Sequence, residues 1–188
     1  MAVASPPSDG VRRPAGEPGA VTRRGLREPR PRSRGAARAV TRDDVDGGPW
    51  RADAPGVVLL PSGRRVRGRS LRADAHGAQD PTVVVHLGRR RPPTPGCERY
   101  WIRWVPTDVD EAVRVLREVH GRALRERVEI ACRGGVGRTG TAIASVAVLE
   151  GMAPADAVAW VRARYHHRAV EVPWQRRVLR AAQQPRSR

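Results

Sequence analysis

The chain has 188 residues, a formal net charge of +17 and a sequence pI of about 11.7. That length holds one domain and a tail, the two cysteines exclude a disulfide framework and a four-cysteine metal site, and the longest apolar run, Ala142 to Leu149, is too short to span a bilayer. Every one of the 36 basic residues is arginine, with no lysine, asparagine or phenylalanine, so the charge reads first as the codon bias of a GC-rich, bacterial genome and only second as a nucleic-acid footprint. A basic field suits a phosphorylated substrate as well as RNA, and aromatic side chains for base stacking are few. Nucleic acid and membrane are therefore not the expected partners.

In chain order, residues 1–48 are rich in Pro, Gly, Arg and Ala and carry hardly a large apolar side chain. Such a segment buries too little to offset its ordering entropy, and a disordered tail is expected there. Proline and arginine stand where a signal peptide would need an apolar stretch, and cytoplasm is the expected setting. A single domain is expected over residues 49–184, with a second short tail over 185–188. Val57 to Leu60, Pro61-Ser62-Gly63, and Arg64 to Leu71 read as a strand, a turn and a returning strand. Thr82 to Leu87 is a buried-strand run, closed by Gly88 and a basic, proline-rich loop through Pro95. Arg99 to Val105 reads as another strand, with Tyr100, Ile102 and Trp104 alternating against Trp101 and Arg103.

Thr107 is the expected N-cap of a helix reaching Glu126, with acids in its first turn and Val109, Ala112, Val113, Leu116, Val119 and Ala123 at helical spacing. Val128 to Ala131 reads as the central strand. Helices are expected over Thr139 to Leu149, stopped by Gly151, over Pro154 to Tyr165 with proline in the first turn, and over Pro173 to Ala182. Strands alternating with helices and ending in a helical cluster give an α/β fold: a central, mostly parallel sheet flanked by helices.

The organising stretch runs from Val128 through Cys132-Arg133-Gly134-Gly135-Val136-Gly137-Arg138-Thr139-Gly140. Three glycines and no proline separate cysteine from arginine, so the backbone can curl and aim successive N–H groups at one spot, an anion-binding nest. The helix that follows adds its N-terminal dipole to the same spot. Thiolate is favoured beside an arginine and a helix N-terminus. Nucleophile and phosphate cradle would then coincide at Cys132.

This Cys-x5-Arg-Thr-Gly pattern resembles the signature loop of the protein-tyrosine phosphatase superfamily, in particular its compact, dual-specificity-like bacterial members. The resemblance implies a cysteine-phosphatase-like fold over about residues 55–182 and a protein phosphatase that hydrolyses phosphate monoesters, phosphotyrosine foremost, without a cofactor or metal. Cys132 would attack phosphorus to give a cysteinyl-phosphate. Arg138 would grip two equatorial oxygens through its planar fork. The backbone from Arg133 through Gly134, Gly135, Val136 and Gly137 to Arg138 would supply the remaining donors, and Thr139 would hydrogen-bond the thiolate, cap the helix, or both.

Two positions depart from the family's pattern. Histidine usually precedes the nucleophile, and here the residue is Ala131. The family also presents its general-acid aspartate on a Trp-Pro-Asp-type loop, whereas this chain reads Trp104-Val105-Pro106-Thr107-Asp108, shortened by about four residues. Asp108 is then either a displaced general acid or an N-terminal helix charge, with Asp110 a weaker candidate. Gln175 stands near the family's water-positioning glutamine, or is a polar residue of the last helix. Trp174 reads as core. His166 and His167 are adjacent on a helix and would point different ways, which argues against a metal site, and Cys97 could form a redox disulfide with Cys132.

Two alternatives stay open. The first is a weak pseudophosphatase or a phosphate- or phosphoprotein-binding module using the same loop. The second, less favoured, is a dinucleotide-binding oxidoreductase, because Gly135-Val136-Gly137-Arg138-Thr139-Gly140 also satisfies G-x-G-x-x-G; that fold needs a further strand after the helix, and the sequence after Gly151 reads as another helix. Rhodaneses and arsenate reductases have similar loops, but Arg138-Thr139-Gly140 and the all-helical C-terminal half favour the phosphatase.

Overall fold

The computed structural model describes residues 48–73, 79–89 and 98–185. The expected tail lies outside these residues except for Gly48, as do Cys97, the proline-rich stretch through Pro95 and residues 186–188. Five strands, β1 (Val57–Leu59), β2 (Arg65–Ser70), β3 (Val83–Gly88), β4 (Glu98–Arg103) and β5 (Val128–Cys132), form one sheet in the order β1-β2-β5-β3-β4. Only β1 is antiparallel to its neighbour; it turns back on β2 through Pro61–Gly63, where Gly63 takes the left-handed φ of +83° that the turn requires. The other three pairings are parallel.

β5 was expected at the centre and is there, and the reason is composition. A strand with parallel neighbours on both sides is covered on both faces, so it needs a near-continuous apolar run; all five residues of β5 and the first five of β3 are buried. Register brings Ser70 and Leu87 level with Cys132. The carboxyl ends of three strands therefore open on one edge, with the cysteine in the middle, the position at which open α/β sheets bind ligands.

Four helices lie among the described residues: α1 (Val109–Arg122), between β4 and β5, then α2 (Gly137–Leu149), α3 (Pro154–Arg164) and α4 (Gln175–Gln183). The apolar stripe of α1 buries Ala112, Val113, Val115, Leu116 and Val119 as the spacing indicates. Its cap differs from expectation. Asp108, not Thr107, is the N-cap residue, no side chain caps the backbone, and the Thr107 hydroxyl instead donates to Asp108 Oδ1 at 2.8 Å. The helix also stops at Arg122 rather than Glu126.

α2 is small, apolar and buried nearly all round, packed on by α1, α3 and α4. Two of its buried hydroxyls turn inward on the helix: Thr141 donates to the Gly137 carbonyl at 2.6 Å and Ser145 to the Thr141 carbonyl at 2.9 Å. Gly151, at φ +98°, ends the segment. No strand follows α2 among the described residues, which removes the ribose-binding strand that a dinucleotide fold needs.

The two sheet faces differ in kind. Val128, Ile130 and Cys132 point into the apolar core with Val83, Val85 and Leu87. The alternate residues put a charge cluster on the other face: Glu129, fully buried, accepts from Arg67 Nε at 2.8 Å and Nη2 at 2.6 Å and from Arg69 Nε at 2.8 Å. The Arg67 guanidinium also lies 3.9 Å above the ring of Trp50. Trp50, fully buried, donates its indole N–H to the Val128 carbonyl at 2.7 Å, tying the segment before β1 to the central strand.

Candidate active site

Cys132 ends β5 and opens the glycine-rich loop. The Gly135 N–H donates both to the Cys132 carbonyl and to its sulfur, each at 3.2 Å, so the loop closes on the cysteine itself. Gly135 sits at φ +68°, and a Cβ there would fall 2.6 Å from the Ser70 backbone nitrogen. Only glycine permits that turn so close to β2. Ser70 adds a second tie, its hydroxyl donating to the Arg133 carbonyl at 3.0 Å.

A third tie comes from the far side. Tyr165, just after α3, donates its hydroxyl to the Gly135 carbonyl. Its ring fits over Gly68 of β2, where any Cβ would collide with it. Burial first, then the negative charges of Cys132 and Glu129, push the phenol well above the ordinary tyrosine range, which keeps it protonated and donating.

The loop feeds α2 two residues earlier than expected. Its N-cap, Val136, has no side-chain oxygen, so the amides of the first turn are left to a ligand. Cys132, Arg133, Gly134, Val136, Gly137 and Arg138 line one open cleft of about 270 Å³. Arg138 reaches toward β3, Nη1 donating to the Leu87 carbonyl at 3.4 Å. Thr139 is fully buried in the first turn, and its hydroxyl has no hydrogen-bond partner among the described residues. An unsatisfied buried hydroxyl costs about 1–3 kcal/mol.

Two further residues complete the lining, Arg72 and Glu171, neither of them marked by the sequence. The signal for the first is weak: Arg72 follows β2 in a turn whose N–H is held by the Ser70 hydroxyl at 3.2 Å. For Tyr165 the signal is Gly68, a glycine inside a strand, which marks the close approach of something bulky. For Glu171 no local pattern exists.

The remaining candidates lie elsewhere. Asp108 is at the N-cap of α1 and does not line the cleft. Asp110 is exposed in the first turn of the same helix. Gln175 is buried at the start of α4, its Oε1 accepting from the Val172 N–H at 3.3 Å. Trp174 is half-buried against the core, 6.0 Å from Trp104 between ring centroids. His166 and His167 do not diverge on a helix; they lie beyond α3 with their rings stacked 4.6 Å apart. No group of three or more His, Cys, Asp or Glu that could hold a metal occurs among the described residues, nor any helix long and apolar enough to cross a membrane.

Register pairs Ala131 with His86 of β3, so an imidazole stands beside that position on the same sheet face. His86 is nearly buried, and its Nδ1 has no hydrogen-bond partner among the described residues. Burial, with Arg99 and Arg69 adding to it and Glu129 opposing, lowers its pKa below the ordinary histidine value.

The chain resembles the crystal structure of Tk-PTP in the active form, at 24% identity and a TM-score of 0.51, over 69% of this chain and 97% of that one. Human DUSP28 is matched at 18% identity and a TM-score of 0.49, over 68% of this chain and 94% of the other. No family model and no curated protein matches the sequence. The architecture is thus a protein tyrosine phosphatase-like α/β fold.

Proposed function

We propose that the chain is a cysteine-dependent protein-tyrosine or dual-specificity phosphatase of the cytoplasm, hydrolysing phosphate monoesters of proteins through a cysteinyl-phosphate. The observation that carries this reading is the placement of Cys132 in one cleft with Arg138 and the uncapped start of α2. Cys132 attacks phosphorus in line; the loop amides and the Arg138 fork hold the three non-bridging oxygens, whose charge rises in the transition state. Arg72 and Arg133 add to the field that draws a dianion in. The Thr139 hydroxyl, without a hydrogen-bond partner among the described residues, is the side-chain hydroxyl nearest in sequence that a leaving thiolate could use, beside the Gly135 N–H that already donates to the sulfur.

A second reading, phosphate binding without turnover, is favoured by the position of Asp108 outside the cleft lining. One experiment separates the two. The full chain should hydrolyse an aryl phosphate, and Cys132→Ser should abolish turnover while retaining vanadate or phosphate binding. Binding without turnover by the unaltered chain selects the second reading, and turnover that survives Cys132→Ser refutes the cysteine mechanism.

A further inference from the structure

Among the described residues one carboxylate lines the cleft with Cys132 and Arg138, that of Glu171, and its placement is enforced from three directions. Gly137 leaves room for it: a Cβ on that glycine would collide with Glu171 Oε2, so the carboxylate rests directly on the first residue of α2. Val170, the residue before it, is buried at φ +60°, a left-handed conformation that a β-branched side chain rarely takes. Strain of this kind costs about 1–3 kcal/mol and persists only where surrounding structure over-determines it. Here Arg162 does so, donating from Nε to the Ala169 carbonyl at 3.0 Å and from Nη2 to the Val170 carbonyl at 3.3 Å. On the other side Gln175 holds Val172.

We infer that Glu171 is the general acid and base of this site. The inference rests on the phosphatase reading above and supplies the group that Asp108 does not place in the cleft. In the first step the Cys132 thiolate forms the S–P bond while the ester P–O bond breaks, and the Glu171 carboxyl gives its proton to the departing oxygen, leaving an alcohol or phenol and a carboxylate. In the second, water forms a P–O bond as the P–S bond breaks; Glu171 takes a proton from that water, and inorganic phosphate and the thiolate are released. The side chain is 41% exposed, so it exchanges protons with solvent between turnovers. The charged and titratable groups facing it are Arg168, 3.9 Å away on its own segment, Arg72 after β2, Cys132 at the end of β5, and Arg133 and Arg138 from the loop and α2.

The test is a leaving-group series of aryl phosphates, run on the full chain and on Glu171→Gln, Glu171→Asp and Asp108→Asn, with the pH profile of kcat/KM for each. A working acid flattens the dependence of rate on leaving-group basicity. Glu171→Gln should lose about 10²–10³-fold on the most basic phenols and far less on nitrophenols. It should also lose the fall in rate at high pH that deprotonation of the acid causes. Glu171→Asp, which keeps the carboxyl at shorter reach, should fall between. A Glu171→Gln series parallel to that of the unaltered chain overturns the assignment while leaving the phosphatase reading intact. A steepened series in Asp108→Asn instead gives the role to Asp108. No turnover of any ester by the unaltered chain removes the phosphatase reading, and this assignment with it.

Discussion

Replacing Glu129 by glutamine should be the most damaging single-atom change in the sheet. Glu129 has no exposed surface, and its two oxygens accept three guanidinium N–H groups at 2.6–2.8 Å. Glutamine keeps the shape but turns one acceptor into an NH₂ donor facing other donors, and it leaves two arginines without a counter-charge. Breaking a buried pair by removing one partner costs about 3–5 kcal/mol, a large share of the 5–15 kcal/mol typical of a domain. With a urea m-value of about 2 kcal/mol/M, the midpoint should fall by roughly 1.5–2.5 M at unchanged m. The comparison is Glu111→Gln: Glu111 bonds Arg114 at 2.6 Å, but the side chains are 50% and 57% exposed, and the loss should stay within about 0.5 kcal/mol. Equal midpoints for the two variants would refute the reasoning. Replacing Arg67, Arg69 and Glu129 together by apolar residues of similar volume should cost much less than Glu129→Gln alone, because no orphan charge remains.

Tyr165→Phe keeps the ring over Gly68 and removes only the bond to the Gly135 carbonyl; it should cost about 1 kcal/mol in unfolding free energy and lower kcat/KM for an aryl phosphate, and an unchanged kcat/KM would mean that the loop holds its shape without this tie. His86 makes stability depend on pH. Its folded pKa is below the unfolded value of about 6.5, so the unfolded chain binds the proton more readily: the contribution is present above about pH 6.5 and is lost as pH falls through the folded value. Urea midpoints measured from pH 8 to 5 should therefore fall more in the unaltered chain than in His86→Gln, and parallel curves would exclude His86 as the cause.

What the sequence revealed follows from how far apart the cooperating residues lie. The loop from Cys132 to Gly140 was readable because strand, glycines, arginine and helix are contiguous, and each constrains the backbone of the next. The buried runs at Val83 and Val128 were readable because a doubly covered strand must be apolar. The hairpin at Gly63 was readable from its turn chemistry. Helix ends were less legible: Thr107 is a good cap by type, yet the chain puts Asp108 there and spends the threonine hydroxyl on the aspartate. Glu171 escaped because nothing near it is unusual in sequence. Its reach into the cleft comes from Val170, Arg162 and Gly137, three positions whose cooperation exists only once α2 and α3 have packed.

The tie from Tyr165 to Gly135 has a practical corollary for anyone moving this site. A graft of residues 128–149 onto another sheet would carry the cysteine, the arginine and the helix start, yet lack the ring, the strand glycine that seats it and the serine that braces Arg133. The smallest portable unit runs from Gly68 to at least Gln175, so the signature travels only with most of the fold.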